Sequence, residues 1–359
     1  GEVLAIQRER RHGVKIPYQV RFSHGRSRGG ADPLSKRALP RNVGAVRVGM
    51  DYRPAMRPSA GIGRYVPVLA TERGRDGFLV RPYGCFFRGN RPERRQAPEG
   101  TRLVAWPVPS RVMGWLARPG LLPTERALGG VDLFHHTNYL LPELRPETPQ
   151  VMTIHDLACF RPGFHEPRAV DALKAVLADA KERCAVFCVP SEATARDCEE
   201  FLGLPRDRLF VTPLGVDPAF FDLPAPGPPR RRTLLHVGTL EPRKNLARLV
   251  RAFFRSGVEA DLVLAGGAGW LCDDVFEAAR GKETVQLLGW VHESELRRLL
   301  AEATAVAYPS LLEGFGLPVL EAMAAGKPVL TSDSEPFRTV AGDAALLVEH
   351  EDEEALEDR

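Results

Sequence analysis

The chain has 359 residues, a net charge of +3, 44% hydrophobic residues and 26% charged residues. That length exceeds one ordinary core, and the composition excludes a disordered, fibrous or collagen-like chain. No apolar run reaches the ~18 residues of a bilayer span, and the start lacks a basic stretch followed by an apolar one, so a membrane-spanning or secreted protein is not expected. Six cysteines (Cys85, Cys159, Cys184, Cys188, Cys198 and Cys272) are scattered without a Cys-x-x-Cys pair. That usage fits reduced thiols in a cytoplasmic protein better than a disulfide frame or a zinc site.

Residues 1–45 hold ten Lys or Arg against three Asp or Glu, so this segment carries +7 and the remainder −4. It shows no helical or strand period and reads as a disordered extension, or as a stretch foreign to the native protein. The basic character belongs to this segment, and no nucleic-acid partner is expected.

From Val46 the pattern changes. Val46–Met50, ending in Asp51, reads as a strand, followed by a Pro/Gly/Ser loop and a helix start at Gly61-Ile62-Gly63-Arg64-Tyr65. Further strands are expected at Arg102–Trp106, Val131–His135, Val151–Ile154 and Val186–Val189. Val170, Leu173, Val176 and Leu177 share one face of a helix between Arg168 and Cys184. Ser191 suits the N-cap of a helix over Glu192–Leu202. Pro213–Arg232, rich in Pro and Gly, reads as an interdomain linker. Strands then fall at Thr233–Gly238, Asp261–Gly266, Val285–Gly289, Ala305–Tyr308 and Pro328–Thr331. Helices fall at Asn245–Phe254, Glu293–Ala303 and Pro318–Ala325. Alternation in both halves implies α/β units with parallel sheets, in which ligands bind at the carboxyl ends of strands.

Four motifs sit at such ends. In Glu313-Gly-Phe-Gly-Leu-Pro-Val-Leu-Glu321, Gly314 and Gly316 allow close backbone approach, and Pro318 suits a helix's first turn. The flanking carboxylates could accept hydrogen bonds from vicinal hydroxyls; equally, Glu321 could complement a helix dipole and Glu313 be a solvated loop charge. In Gly238-Thr-Leu-Glu-Pro-Arg-Lys-Asn245, Arg243 and Lys244 stand at a helix mouth, as a diphosphate site requires, although an exposed Arg-Lys pair is the plainer alternative. Gly61 and Gly63 fit a dinucleotide fingerprint poorly, because the third glycine is missing. His155, in Thr153-Ile-His-Asp156, could contact a sugar hydroxyl or a reacting centre, or be a satisfied structural residue. His135-His136 shares that setting without a clear role. His12, His165, His236, His292 and His350 read as structural.

Taken in order, these motifs resemble family 4 glycosyltransferases over about Val46–Ala355. Pro190-Ser-Glu192, Pro213-Leu-Gly-Val-Asp217 and Tyr308-Pro-Ser-Leu-Leu-Glu-Gly-Phe-Gly316 extend the match. Phe134-His-His-Thr-Asn-Tyr-Leu-Leu-Pro142 is similar to the branch of bacterial mannosyltransferases of surface polysaccharides.

The resemblance implies a GT-B fold, with two Rossmann-like domains facing across a cleft. An acceptor-binding domain would span 46–212 and a nucleotide-sugar domain 233–359, joined through 213–232. It implies retention of anomeric configuration without a metal or other cofactor. Arg243 and Lys244 would bind the donor diphosphate and Glu321 the ribose. Glu313, with the Phe315 and Gly316 backbone, would hold the sugar, His155 would lie near the anomeric carbon, and Gly61 and Gly63 would close over the phosphates. Base selection falls near Gly289-Trp290-Val291. The donor is expected to be a nucleotide sugar, GDP-mannose first, and the acceptor a glycan or a lipid-linked one.

Three departures qualify the match. Thr239 stands where many relatives carry a further cation. Pro67 and Thr71–Gly77 disturb the expected helix before Tyr83. The chain also stops at Arg359, where relatives continue with helices that cross back to the first domain. A catalytically inactive sugar-nucleotide-binding relative and a GT-B nucleotide-sugar epimerase are the alternatives. Peripheral membrane contact through Val112–Leu128, with Trp115, Leu121 and Arg118, competes with a core-facing reading, since Pro119 and Pro123 interrupt any long helix.

Overall fold

The computed structural model describes residues 45–56, 61–85, 101, 103–106, 124–223 and 231–349. The basic leading segment to residue 44, most of Val112–Leu128 and His350 onward lie outside the described residues.

Short apolar segments build a first sheet: β1 Arg47–Asp51, β2 Leu79–Cys85, β3 Val104–Trp106, β4 Leu133–His136, β5 Gln150–Thr153, β6 Val186–Val189 and β7 Leu209–Val211. Its seven strands run in the order β3-β2-β1-β4-β5-β6-β7, with every pairing parallel. The helices among the described residues of this half are α1 Ile62–Arg75, α2 Thr124–Ala127, α3 Pro167–Arg183 and α4 Glu192–Leu202. A second sheet contains β8 Arg232–Val237, β9 Ala260–Ala265, β10 Val285–Gly289, β11 Ala305–Tyr308, β12 Val329–Ser332 and β13 Leu346–Val348. Its six strands are ordered β10-β9-β8-β11-β12-β13, again parallel throughout. With it go α5 Leu246–Arg255, α6 Asp273–Ala279, α7 Glu293–Glu302, α8 Leu317–Ala324 and α9 Glu335–Ala341. Each sheet reverses strand order once near its centre, as a doubly wound Rossmann-like sheet does. Both lie within one compact unit of the chain.

Local chemistry explains several boundaries. Ser191 Oγ accepts from the Thr194 amide (3.1 Å) and starts α4, which ends on Gly203 in the left-handed region at φ 59°. Parallel strands are covered on both faces, so β11 (Ala-Val-Ala-Tyr) is almost wholly buried and carries no polar alternation. The expected disturbance of the helix before Tyr83 is not found. α1 runs through Pro67 to Arg75, because its buried side chains Val66 and Ala70 pack with Met50, Tyr52 and Val80. The loss of one intrahelical bond at Pro67 is smaller than the gain from that burial.

Phe220, within the stretch read as a linker, is buried with Leu235, Val306, Val319 and Phe337 in the core of the second sheet. Asp217 caps the single turn that delivers it, accepting from the Ala219 amide (2.9 Å).

Two histidines are buried inside the sheets. His136 Nε2 lies 2.9 Å from Gln150 Oε1, and His236 Nδ1 donates to the Ala307 carbonyl (3.0 Å). Burial holds both well below the ordinary value of 6.5, at about 4. The folded chain therefore keeps them neutral, whereas the unfolded chain protonates them near their ordinary value. Their contribution is complete above about 6.5 and is lost as pH falls towards 4. Guanidinium chloride unfolding should show lower stability at pH 5 than at pH 7.5, by at most about 1.4 kcal/mol per pH unit for each histidine. Equal stability at the two pH values would contradict this reading.

Candidate functional site

The crevice of a doubly wound sheet opens where strand order reverses, at the carboxyl ends of the strands. In the second sheet that point lies between β8 and β11. The chain leaving β8 is Gly238–Asn245, and the chain leaving β11 is Pro309–Gly316. These are the segments that carry Arg243, Lys244 and Glu313. The loops after β8 and β9 pack closely: a Cβ at Gly266 would lie 1.7 Å from the Gly238 carbonyl oxygen.

Arg243 and Lys244 belong to a single helical turn, Pro242–Lys244, which ends at Asn245 with φ 60° and opens α5. The two loops bind each other through backbone. The Leu311 amide donates to the Arg243 carbonyl (2.7 Å), and Arg243 Nη1 donates to the Leu312 carbonyl (3.2 Å). Arg243 reaches Glu313 Oε2 with Nη1 (2.9 Å) and Glu241 Oε1 with Nη2 (2.8 Å). Lys244 Nζ pairs with Glu313 Oε1 and donates to Tyr308 Oη (2.6 Å). Tyr308 also lies under that ammonium, its ring centroid 4.8 Å away.

Burial would push the Glu313 carboxyl up, but Arg243 and Lys244 outweigh it and hold it down at about 2. Burial and Arg243 lower the Lys244 ammonium, while Glu313 and Glu241 oppose them. For Arg243, burial is outweighed by Glu313, Asp156 and Glu241, so its cation is strongly favoured. The Glu241 carboxyl is raised by burial against Arg243 and Lys244. Two neighbouring cations thus share one fully ionised carboxylate in a buried corner.

The first sheet meets this corner through His155 and Asp156, just beyond β5. A Cβ at Gly314 would sit 1.7 Å from the His155 carbonyl oxygen and 3.3 Å from Asp156 Cβ, so only glycine lets the two lobes approach this closely. Thr194 Oγ1 donates to the Gly314 carbonyl (3.3 Å). At a second contact, Trp270 Nε1 donates to the Phe164 carbonyl (2.5 Å) and the indole stacks on His165, centroids 4.7 Å apart. The His155 ring is itself fixed: Nε2 lies 2.9 Å from the Thr137 carbonyl, and Tyr65 packs against the ring edge to face at 5.2 Å. A carbonyl only accepts, so Nε2 carries the proton; burial lowers the ring's pKa and keeps it neutral.

The remaining expected residues divide. Gly61 has φ 24° with open space around it, and Gly63 is buried in the first turn of α1. Gly316, at φ 100°, starts α8, and Phe337 lies 2.6 Å from where its Cβ would be. Phe315 is buried beside it. Glu321 is covered by Arg64 from the opposite lobe, with Nε to Oε1 at 2.7 Å and Nη2 to Oε2 at 2.8 Å. Val291 packs against the core of the second sheet, while neighbouring Trp290 is 38% exposed and meets His292 edge to face. His135 Nε2 lies 2.8 Å from Thr153 Oγ1. The sequence reading passed over four participants: Arg64, Asp156, Glu241 and Tyr308. All four stand inside the quoted motifs, beside the residues singled out. Among the described residues, no cluster of three or more His, Cys, Asp or Glu is placed to hold a metal ion.

Removing Glu313 should strip Lys244 of its carboxylate partner and leave Arg243 with Glu241 alone as an ion-pair partner. Glu313→Ala is expected to lose about 3 kcal/mol or more in urea unfolding. Millimolar pyrophosphate should raise its melting temperature more than it raises that of the unmodified chain. An unchanged stability with no difference in response to pyrophosphate would refute this account of the corner.

Comparison with known proteins bears on the fold and the family. Residues 59–220 match the model described as Glycosyltransferase Family 4, and residues 224–359 match that of Glycosyl transferases group 1. The O-antigen chain mannosyltransferase B of Escherichia coli is 30% identical over 336 residues, covering 84% of this chain and 86% of that protein. Among solved structures, sucrose-phosphate synthase from Thermosynechococcus elongatus superposes with a TM-score of 0.67 at 18% identity, over 87% of this chain and 88% of that one. The Anabaena protein HepE, solved in complex with UDP-glucose, gives 0.65 at 17% identity, over 87% of each chain. Two doubly wound parallel sheets, the loops of Arg243, Lys244 and Glu313 at one reversal point, and these likenesses together place the chain: it belongs to the family 4 glycosyltransferases, with the GT-B fold.

Proposed function

We propose that this glycosyltransferase moves a hexose, with retention of configuration and without a metal, from a nucleotide sugar to a glycan or lipid-linked acceptor. The observation that carries the reading is the buried corner in which Arg243 and Lys244 share Glu313. A donor diphosphate entering there would be met by both cations, which stabilise the negative charge that grows on the leaving group. Glu313, freed in part from its ion pairs, would then accept from sugar hydroxyls. The acceptor oxygen attacks the anomeric carbon on the face from which the phosphate oxygen departs. That departing oxygen takes the acceptor's proton, so no enzymic nucleophile or metal enters.

The first lobe supplies alignment on this reading. His155, neutral and held at the seam by the Thr137 carbonyl, would lie near the anomeric carbon. Glu321 takes the ribose, Gly61 and Gly63 approach the phosphates, and Trp290 rather than Val291 offers a surface to the base. Likeness to the E. coli mannosyltransferase favours GDP-mannose as donor. The UDP-glucose bound to HepE keeps uridine donors in the test. A lipid-linked acceptor would place the enzyme peripherally at the inner face of the membrane. Among the described residues no helix is long and apolar enough to cross one.

A thermal-shift panel of GDP-mannose, UDP-glucose, UDP-GlcNAc and UDP-galactose should reveal one stabilising donor. The shift should survive EDTA and vanish in Lys244→Ala. Proton NMR of the transfer product should show the donor's anomeric configuration. The absence of any shift, or a shift indifferent to Lys244→Ala, would overturn the phosphate assignment. An inverted product would overturn the retaining mechanism.

A further inference from the structure

The proposed donor site contains one interaction that its chemistry does not require. Arg64, at the start of α1 in the first lobe, makes a two-pronged ion pair with Glu321 on α8 in the second lobe, residues 257 positions apart in the chain. The pair is enclosed: the Glu321 side chain is 3% exposed and that of Arg64 16%. A planar guanidinium lying along both carboxylate oxygens takes the directions from which a ribose diol would approach. The acceptor that the proposed function assigns to the ribose is therefore already engaged, by a residue of the other lobe.

We propose that Arg64 is a specificity residue that makes the site select nucleoside diphosphates over nucleosides, by exchanging Glu321 for phosphate when a donor enters. The inference rests on the donor-site reading above. A nucleoside alone would have to break a buried ion pair and strand its guanidinium. A nucleoside diphosphate breaks the same pair but offers the displaced guanidinium new anionic oxygens, in the forked geometry that arginine matches best. The position of Arg64 suits the exchange. It directly follows Gly61-Ile62-Gly63, and Gly61 has open space around it. Tyr308, which binds Lys244 at the phosphate corner, is also close enough to Glu321 to feel its charge.

The other charged groups around Glu321 do not supply a substitute partner. Asp217, capping the turn of Phe220, and Glu293, on α7, face it with negative charge and, with burial, raise its carboxyl against the opposing effect of Arg64. Arg297, on α7 as well, is itself paired with both Glu293 and Asp217. Among the described residues Arg64 is therefore the cation paired with Glu321, and its departure must be compensated by the hydroxyls and phosphates of the ligand.

Isothermal titration with GDP and guanosine, and with UDP and uridine, tests the exchange in the full chain. For the preferred base, Arg64→Gln should weaken diphosphate binding by about tenfold while tightening nucleoside binding severalfold, which compresses the ratio between them. Arg64→Lys, which keeps the charge but not the fork, should change both in the same directions by less, and it carries the test if the glutamine variant does not fold. Equal weakening of both ligands, or no change in either, would overturn the exchange. Lys244→Ala measured alongside separates the two claims: if diphosphate binding is unaffected there, the donor-site reading itself fails. If binding is lost there while the ratio stays constant across the Arg64 variants, only the exchange fails.

Discussion

A single carboxylate, Glu313, holds two cations together in a place where water does little to help. Arg243 and Lys244 come from consecutive positions of one turn, and alone they would repel each other in a poorly solvated corner. Glu313 resolves that conflict from the neighbouring loop, and Glu241 and Asp156 assist from the sides. The loops after β8 and β11 keep their shapes because the charges meet, and the charges meet because the reversal of strand order brings those loops to one crevice. Both cations stay ordered at the mouth of one crevice, held by carboxylates that pair with them. An arriving polyanion therefore finds donors already oriented, with little reorganisation left to make.

The same corner sets how the lobes sit. Gly314 follows Glu313 directly, and its backbone packs against the His155 carbonyl with no room for a side chain. Any larger residue there would push the first lobe outward and separate His155 and Asp156 from the charged cluster. Trp270 on His165 and Arg64 on Glu321 hold the seam at two further points. The exposed Arg196–Glu335 pair at 3.2 Å adds little, since solvent screens it. The seam is thus held where packing and buried charge coincide, and these are also the places where a sugar nucleotide would need to fit.

Much of this was legible in the sequence. The strand ending at Asp51, the Ser191 cap and the parallel alternation after residue 232 follow from local pattern, and strands and helices stand there. Arg243, Lys244 and Glu313 could be placed together because each follows a recognisable strand end, and the fold brings those ends side by side. What escaped is what local pattern does not encode. β2 carries Pro82 and Gly84, which local pattern disfavours inside a strand, yet it lies between β1 and β3. α1 crosses Pro67 because tertiary burial outweighs propensity. β13 and α9 are short, and packing against the second sheet decides them. The pairing of Arg64 with Glu321 depends on the closeness of two lobes, and no spacing within either motif could announce it. Within the loop Gly289-Trp290-Val291, expected near the base, Val291 packs against the core while Trp290 is partly exposed, a division that spacing alone does not encode.

The most direct test of the central claim is a crystal structure with GDP-mannose, or with whichever nucleotide sugar binds. The account predicts both phosphates within hydrogen-bonding distance of Arg243 and Lys244, the ribose on Glu321, and the hexose between Glu313 and His155. A nucleotide bound elsewhere on the chain, with Arg243 and Lys244 still paired to Glu313, would contradict it.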